Sequence, residues 1–331
     1  MAAEIVTASR ATFARSAPVP PAVTVAISVK DRRDLMARCL DGLLDQEVEG
    51  GFCVVVVDNG STDGTLELLR QRAARATVPI TVLEDAGTLG RARNVGLAAA
   101  AAPIVAFTDS DCVPAPGWLA ALVAPFADPE GARLAIVQGQ TLAEADAERG
   151  RWSSTQELTA FTDRYEACNI AYRRDALRDV GGFDEDMGFF GEDTAAGWAI
   201  RRAGWKATFA PAAVVHHAVT HPGLGWHLRR AFGYGNWNAL VKRFPEMRTE
   251  LLWHRWFLRR RSATFTSAVI GLLFATRHRR ALVLVLPYVW LRRPKGRHRA
   301  DLVDALGSVA FDGAIFCGLV RGSIRERTVV L

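Results

Sequence analysis

Four short runs of β-branched and apolar residues recur within the first 108 positions. They are 23–29 (VTVAISV), 52–57 (FCVVVV), 80–84 (ITVLE) and 104–108 (IVAFT). Runs of this kind suit strands buried on both faces, as in a parallel sheet covered by helices. The segments between them have helical spacing. Asp34–Leu44 aligns Leu35, Leu40, Leu43 and Leu44. A second helix, capped by Ser61 or Thr62, runs to about Arg75 with Asp63 and Glu67 near its positive end, and a third covers Leu89–Ala101. Strand and helix alternating at this interval predict an α/β fold with a mostly parallel central sheet flanked by helices.

In such sheets ligands bind beyond the carboxyl ends of the strands. Asp31, Asp58, Asp109 and Asp111 all fall at predicted strand ends, which gathers four acids at one rim. The turn after the first strand reads Ser28-Val29-Lys30-Asp31-Arg32, without glycine. That argues against a dinucleotide fingerprint and hydride transfer. It also lacks the Gly-rich, Lys-containing loop that nucleotidyl transfer would want.

With half its 331 residues hydrophobic and 23% charged, the chain can bury a sizeable core, as one large domain or two small ones. Five cysteines, odd in number and with no CxxC pair, argue against a disulfide framework or a zinc site and for a reducing compartment. Residues 1–22 are Ala-rich, carry no signal-peptide pattern and are expected to be flexible.

Charge is unevenly placed. Residues 221–300 hold 17 Lys and Arg against two acids, Glu246 and Glu250, whereas the rest of the chain holds 24 basic and 33 acidic residues. The same segment carries five of the nine tryptophans: Trp226, Trp237, Trp253, Trp256 and Trp290. Basic residues interleaved with Trp fit an anionic membrane surface, with a solvated basic face and a polyanion partner as the alternatives. Two uncharged stretches, 262–276 and 281–291, are short for spanning helices, which need ~20 apolar residues. Arg277, His278, Arg279 and Arg280 separate them. They predict a shallow hairpin or interfacial helices, against the alternative of two buried helices in a soluble domain. Residues 321–331 read as a short tail of no identifiable role.

The strings VVVVDNGSTDGT (54–65), TLGRARNVGLAAA (88–100), FTDSDCVPAPGWL (107–119), CNIAYRRDAL (168–177) and GGFDEDMGFFGEDTAAGWAIRRAG (181–204), followed by a His cluster at 216–221, resemble glycosyltransferase family 2, in that family's order over roughly residues 23–240. The resemblance implies a GT-A fold over 23–240, and composition marks 241–331 as a helical, basic and apolar extension for which the membrane reading above stands as the expectation. It implies transfer of a sugar from a nucleotide-diphosphate sugar, UDP-type by expectation, to a hydroxyl with inversion at the anomeric carbon.

By similarity Asp111 is the first candidate ligand of Mn²⁺ or Mg²⁺ and Asp109 the second, with Asp109 and Ser110 also lying nearer the nucleotide-sugar. A hard divalent ion held by carboxylates offsets the charge that grows on a departing diphosphate. Asp58 matches the aspartate that reads the nucleobase, and Asp31 lies near it. Arg91 and Asn94 match a helix that faces the donor. Asp193 matches the general base and Glu192 its neighbour, which orients the acceptor or the helix start. One of the histidines, His216 or His217, completes the metal shell or touches the diphosphate, and Arg229 or Arg230 clamps the diphosphate or belongs to the basic surface. The expected partners are a nucleotide-sugar donor, a lipid-linked or cell-envelope glycan acceptor and the inner face of the cell membrane from the cytoplasm, with no nucleic acid. A soluble enzyme acting on a small metabolite and a silent nucleotide- or polyanion-binding module are the competing readings.

Overall fold

The computed structural model describes residues 21–128, 133–188, 190–293 and 299–331. The segment expected to be flexible lies outside the described residues up to position 20. Ala22 is already tied to the backbone of Gly50 and Gly51.

In chain order the elements are β1 (Val23–Val29), α1 (Arg33–Leu44), β2 (Phe52–Asp58), α2 (Thr65–Arg75), β3 (Ile80–Glu84), α3 (Leu89–Ala99), β4 (Ile104–Thr108), β5 (Cys112–Pro114), α4 (Trp118–Val123), β6 (Leu134–Ala143), β7 (Asn169–Arg173), α5 (Arg174–Asp179), α6 (Glu192–Arg202) and β8 (Lys206–His217). The helices α7 (Leu224–Phe232), α8 (Asn236–Arg243), α9 (Met247–Glu250), α10 (Arg260–Phe274), α11 (Leu286–Arg292) and α12 (Arg299–Glu326) follow. The described residues divide into two compact units. The first takes residues 21–148, 155–188 and 192–219, and the second takes 149–154, 190–191 and 220–331.

The first unit is built on an eight-stranded sheet in the order β3-β2-β1-β4-β7-β6-β8-β5. The four strands legible in the sequence form its parallel half, with Val25 opposite Val54 and Ala106, and Val54 opposite Ile80. β7 enters antiparallel between β4 and β6, β6 and β8 run parallel, and β5 closes the far edge antiparallel to β8. Val23, Val25, Val54 and Val56 are fully buried under Met36, Leu40 and Leu43 of α1. Burying a side chain of this size is worth ~1.5–3 kcal/mol, and six or more such groups hold the parallel half rigid. Because β1, β2 and β4 are parallel, their carboxyl ends share one edge.

The second unit is helical. α12 approaches the 233–235 turn through Gly318 and Gly322: a Cβ on Gly318 would lie 2.4 Å from the Phe232 carbonyl oxygen, and one on Gly322 2.5 Å from that of Gly235. Asn238 of α8 donates to Ser323 Oγ and the Thr328 carbonyl oxygen, both at 2.8 Å. The chain's end is therefore packed rather than a loose tail: Val330 is fully buried and Leu258 N–H donates to the Leu331 carbonyl oxygen. Asp312 of α12 joins three helices, pairing with Arg261 of α10 and accepting from Arg292 and from the Tyr288 hydroxyl of α11, each at 2.7 Å.

The two apolar stretches form a hairpin. Ser267 Oγ of α10 donates to the Leu284 carbonyl oxygen, and Gly271 sits so close to Ala281 that an added Cβ would lie 2.8 Å from its carbonyl oxygen. Their outer faces are uncovered among the described residues: Leu273 is 70% exposed, and Leu286 and Trp290 are each 60% exposed. The alternative of two buried helices is thereby corrected. Residues 303–326 of α12 are also long and apolar enough, by length and composition, to cross a membrane.

Candidate active site

The turns after β1 and β2 are stitched together. Asp31, with φ at +49°, accepts from Thr62 N–H at 2.7 Å, and its own N–H donates to Ser61 Oγ. Arg32 N–H donates to Thr65 Oγ1 and Arg33 N–H to Asp63. Asp31 thus works as a staple, exposed and occupied. Asp58 differs. It is 2% exposed, one carboxylate oxygen accepts from Ser61 N–H at 2.9 Å, and the other has no partner among the described residues. A buried carboxylate oxygen without a donor costs free energy unless something supplies one.

Asp109, Ser110 and Asp111 form the link from β4 to β5. β5 pairs with β8 so that Cys112 stands opposite His217, and Ala218 N–H donates to the Asp111 carbonyl oxygen at 2.8 Å. This register carries His217 to Asp111. Its Nδ1 is 2.8 Å from the Ala218 carbonyl oxygen, which only accepts, so in the neutral ring Nδ1 holds the proton and Nε2 presents a lone pair. Nε2 faces Asp111 Oδ1 at 3.7 Å, too long for a hydrogen bond. Two acceptors facing each other across such a gap suit a cation. His216 is the next residue along β8 and points to the opposite face, which separates the two histidines that sequence could not.

Cys112 Sγ lies within 4.8 Å of the ligand atoms of this pair. Burial pushes its thiol well above the usual range, so it stays protonated and is a poor ligand for a hard ion. The remaining oxygen of Asp111 is paired with Arg32.

Arg93 of α3 holds the centre of the site. Its side chain is 6% exposed, it pairs with Glu192, and it donates to Asp109 Oδ1 at 3.1 Å. One buried guanidinium therefore joins the β4–β5 link to the start of α6. Glu192 is 2% exposed; burial raises its pKa, Arg93 opposes the rise, and its second oxygen has no partner among the described residues.

Asp193 follows, accepting from Thr194 N–H at 2.7 Å and Ala167 N–H at 3.2 Å. Burial, and then the Glu192 charge, push its carboxyl up to about 8, and the Arg93 charge works against them. A carboxylate so raised is a strong enough base to take a proton from a hydroxyl at a slightly alkaline pH.

The structure assigns other positions differently from their sequence expectation. Arg91 turns outward and makes a bidentate pair with Asp85 at 2.7 and 2.8 Å, so Arg93 and not Arg91 reaches the acids. The helical period held this signal, since Gly90, Arg93 and Leu97 form the buried stripe of α3 and Arg91 falls off it. Asn94 accepts from Phe183 N–H and donates to the Phe183 carbonyl oxygen and to Glu185, all at 2.8 Å. It clamps the 182–185 turn, where Gly182 leaves no room for a Cβ (2.5 Å from Asn94 Oδ1). Ser110 is buried. Arg229 and Arg230 belong to the second unit. Both are exposed on α7, with Arg230 stacked on Trp226 at 5.0 Å. Arg32 lies in an exposed turn, where no periodic signal in the sequence marks it.

Comparison with known proteins agrees with this fold. The model of glycosyl transferase family 2 matches residues 24–183, and that of glycosyl transferase family group 2 matches residues 104–293. A pre-mycofactocin glycosyltransferase of Mycobacterium tuberculosis is 33% identical over 254 residues, 71% of this chain and 52% of the relative. The chain thus spans about half the length of that protein. A validoxylamine A glucosyltransferase of Streptomyces hygroscopicus is 27% identical over 72% of this chain and 62% of its own. Among solved structures, a mannosyltransferase of Pyrobaculum calidifontis in complex with GDP-Man and Mn²⁺ superposes with a TM-score of 0.60 at 23% identity, covering 93% of this chain and 89% of its own, a likeness of fold.

Proposed function

Because the chain belongs to the family 2 glycosyltransferases, we propose that it moves a sugar from a nucleoside-diphosphate sugar to an acceptor hydroxyl with inversion, using Asp193 as general base. The observation that carries this reading is the Asp109–Arg93–Glu192 chain of ion pairs, which fixes a donor-side loop and a raised carboxylate within one site.

Asp111 and His217 fit a divalent ion, since in the neutral His217 ring the atom facing Asp111 Oδ1 is the lone-pair nitrogen Nε2. A mixed carboxylate–imidazole pair favours Mn²⁺ over Mg²⁺. Such an ion, when bound, offsets charge on the diphosphate. Asp58 receives an N–H of the base through its unpartnered oxygen, for which the uracil N3–H is suited. Asp193, in its ionised form, takes the hydroxyl proton as the acceptor oxygen attacks the anomeric carbon from the face opposite the leaving diphosphate. Arg93 keeps Glu192 ionised beside it and holds Asp109 in register. The mannosyltransferase complex supports the pairing of nucleotide-sugar and Mn²⁺ on this fold.

Two observations bear on the acceptor. The names of the mycobacterial and Streptomyces relatives favour a small molecule. The second unit favours a lipid-linked or envelope glycan, because Leu272, Leu273, Leu286 and Trp290 are exposed beside Arg277, Arg279 and Arg280. A groove of about 440 Å³ between α10 and α11, lined by Val283, Leu286, Pro287, Trp290 and Arg260, opens on the same surface. We take its occupant to be the anionic inner leaflet of a cell membrane, which this mixture of apolar and basic groups complements. Binding to phosphatidylglycerol vesicles but not phosphatidylcholine vesicles supports this; self-association without vesicle binding assigns the surface to a second copy.

The activity is tested by titrating a panel of nucleotide-sugars by calorimetry with Mn²⁺, Mg²⁺ or a chelator. One donor bound tightly, and lost with the chelator, supports the reading and identifies base and sugar. No binding of any donor points to a silent module.

A further inference from the structure

Arg32 occupies one oxygen of Asp111 while the other faces His217. Resting on the metal-and-donor reading above, we infer that Arg32 is an exchange residue: its guanidinium neutralises Asp111 when the donor site is empty and transfers to the diphosphate when metal and nucleotide arrive.

Asp111 is nearly buried, with 9% of its side chain exposed, and an unpaired carboxylate there would be costly. Arg32 removes that cost in the protein without ligand. A divalent ion on the same carboxylate reverses the balance, since a guanidinium in contact with Asp111 would then face a like charge. The arginine has a ready alternative in the diphosphate, whose oxygens its planar fork can engage in pairs.

The local structure permits the exchange. The backbone at Arg32 is held on one side by Thr65 and on the other by the Asp31–Ser61 and Arg33–Asp63 bonds, and its carbonyl accepts from Met36 N–H at the start of α1. The side chain, by contrast, is 41% exposed and has Asp111 as its ion-pair partner. Rotation about side-chain bonds alone is enough. Arg93, the other cation of the site, cannot serve in this way because it is buried between Asp109 and Glu192.

The consequence is a coupling between two ligands. Metal alone must displace Arg32 with nothing to receive it, so it binds weakly. Nucleoside diphosphate gives Arg32 a new partner and strengthens metal binding, and by reciprocity metal strengthens nucleotide binding by the same factor.

The test is Mn²⁺ titration of the wild type, Arg32→Gln and Arg32→Lys by calorimetry, without nucleotide and with saturating UDP or GDP. Asp111→Asn serves as the site control, and thermal unfolding checks each variant's fold. The expected result is Mn²⁺ binding to Arg32→Gln at least about tenfold tighter than wild type without nucleotide, the scale of one charge-assisted hydrogen bond. The factor by which nucleotide tightens Mn²⁺ should shrink in Arg32→Gln, with Arg32→Lys between the two. Equal Mn²⁺ affinity in wild type and Arg32→Gln, with coupling unchanged, overturns the inference and leaves the donor site standing. Mn²⁺ binding to none of these proteins, with or without nucleotide, overturns both.

Discussion

The two units invert each other's use of polarity. The first buries charge: Asp58, Arg93, Asp111 and Glu192 are all buried, gathered where parallel strands end. The second exposes apolar surface: Leu272, Leu273, Phe274 and Leu286 are each more than half exposed, with arginines in the link between α10 and α11. Both arrangements cost free energy in the isolated chain, since buried charges lose hydration and exposed leucines order water. Proteins keep such features where a ligand or a surface offsets them. On the proposed function, a nucleotide-sugar offsets the cost in the first unit and a membrane surface offsets it in the second.

The comparison breaks most decisively at Asp111. Asp111→Ala should abolish metal-dependent donor binding, measured by calorimetry, while vesicle binding stays at the wild-type level. Asp193→Asn should slow transfer by ~10²-fold or more, in the range of a lost general base. Arg93→Met should slow transfer by ~10-fold or more and move the pH–rate profile to higher pH, because Asp193 and Glu192 lose the cation that favours their ionised forms. In the wild type, the transfer rate should climb with pH and level off above about 8, where Asp193 is ionised. On the other unit, Leu273→Glu with Trp290→Glu should weaken co-sedimentation with anionic vesicles several-fold and leave donor binding unchanged.

A smaller effect tests the burial of Asp193 directly. Its folded pKa is raised above the ordinary carboxyl value, so the stability it contributes is present at low pH and lost as pH rises through about 8. Asp193→Asn should therefore raise the melting temperature relative to wild type at pH 9 and change it little at pH 5.

Much of the first unit was legible because burial on both faces writes itself as continuous apolar runs. VTVAISV and FCVVVV became β1 and β2 with hardly a residue's difference. The strands β5, β6 and β7 were not read, since CVP is three residues long and β7 is set by its antiparallel partners β4 and β6 rather than by its own pattern. Between α7 and α8 the chain turns at 233–235, where Gly235 admits the close approach of α12. At the site, residue types named the acids, but only strand register could choose His217 over His216, and only the inward face of α3 could choose Arg93 over Arg91. Ion pairs between residues 79 or 99 positions apart, such as Arg32–Asp111 and Arg93–Glu192, leave no trace in one sequence.

The most direct test is to measure donor binding and transfer side by side in wild type, Asp111→Ala and Asp193→Asn with the donor found by the nucleotide-sugar panel. The account predicts that Asp193→Asn binds donor as wild type does and fails in transfer, while Asp111→Ala fails in binding. Equal loss of donor binding in both variants, or wild-type transfer by Asp193→Asn, would contradict it.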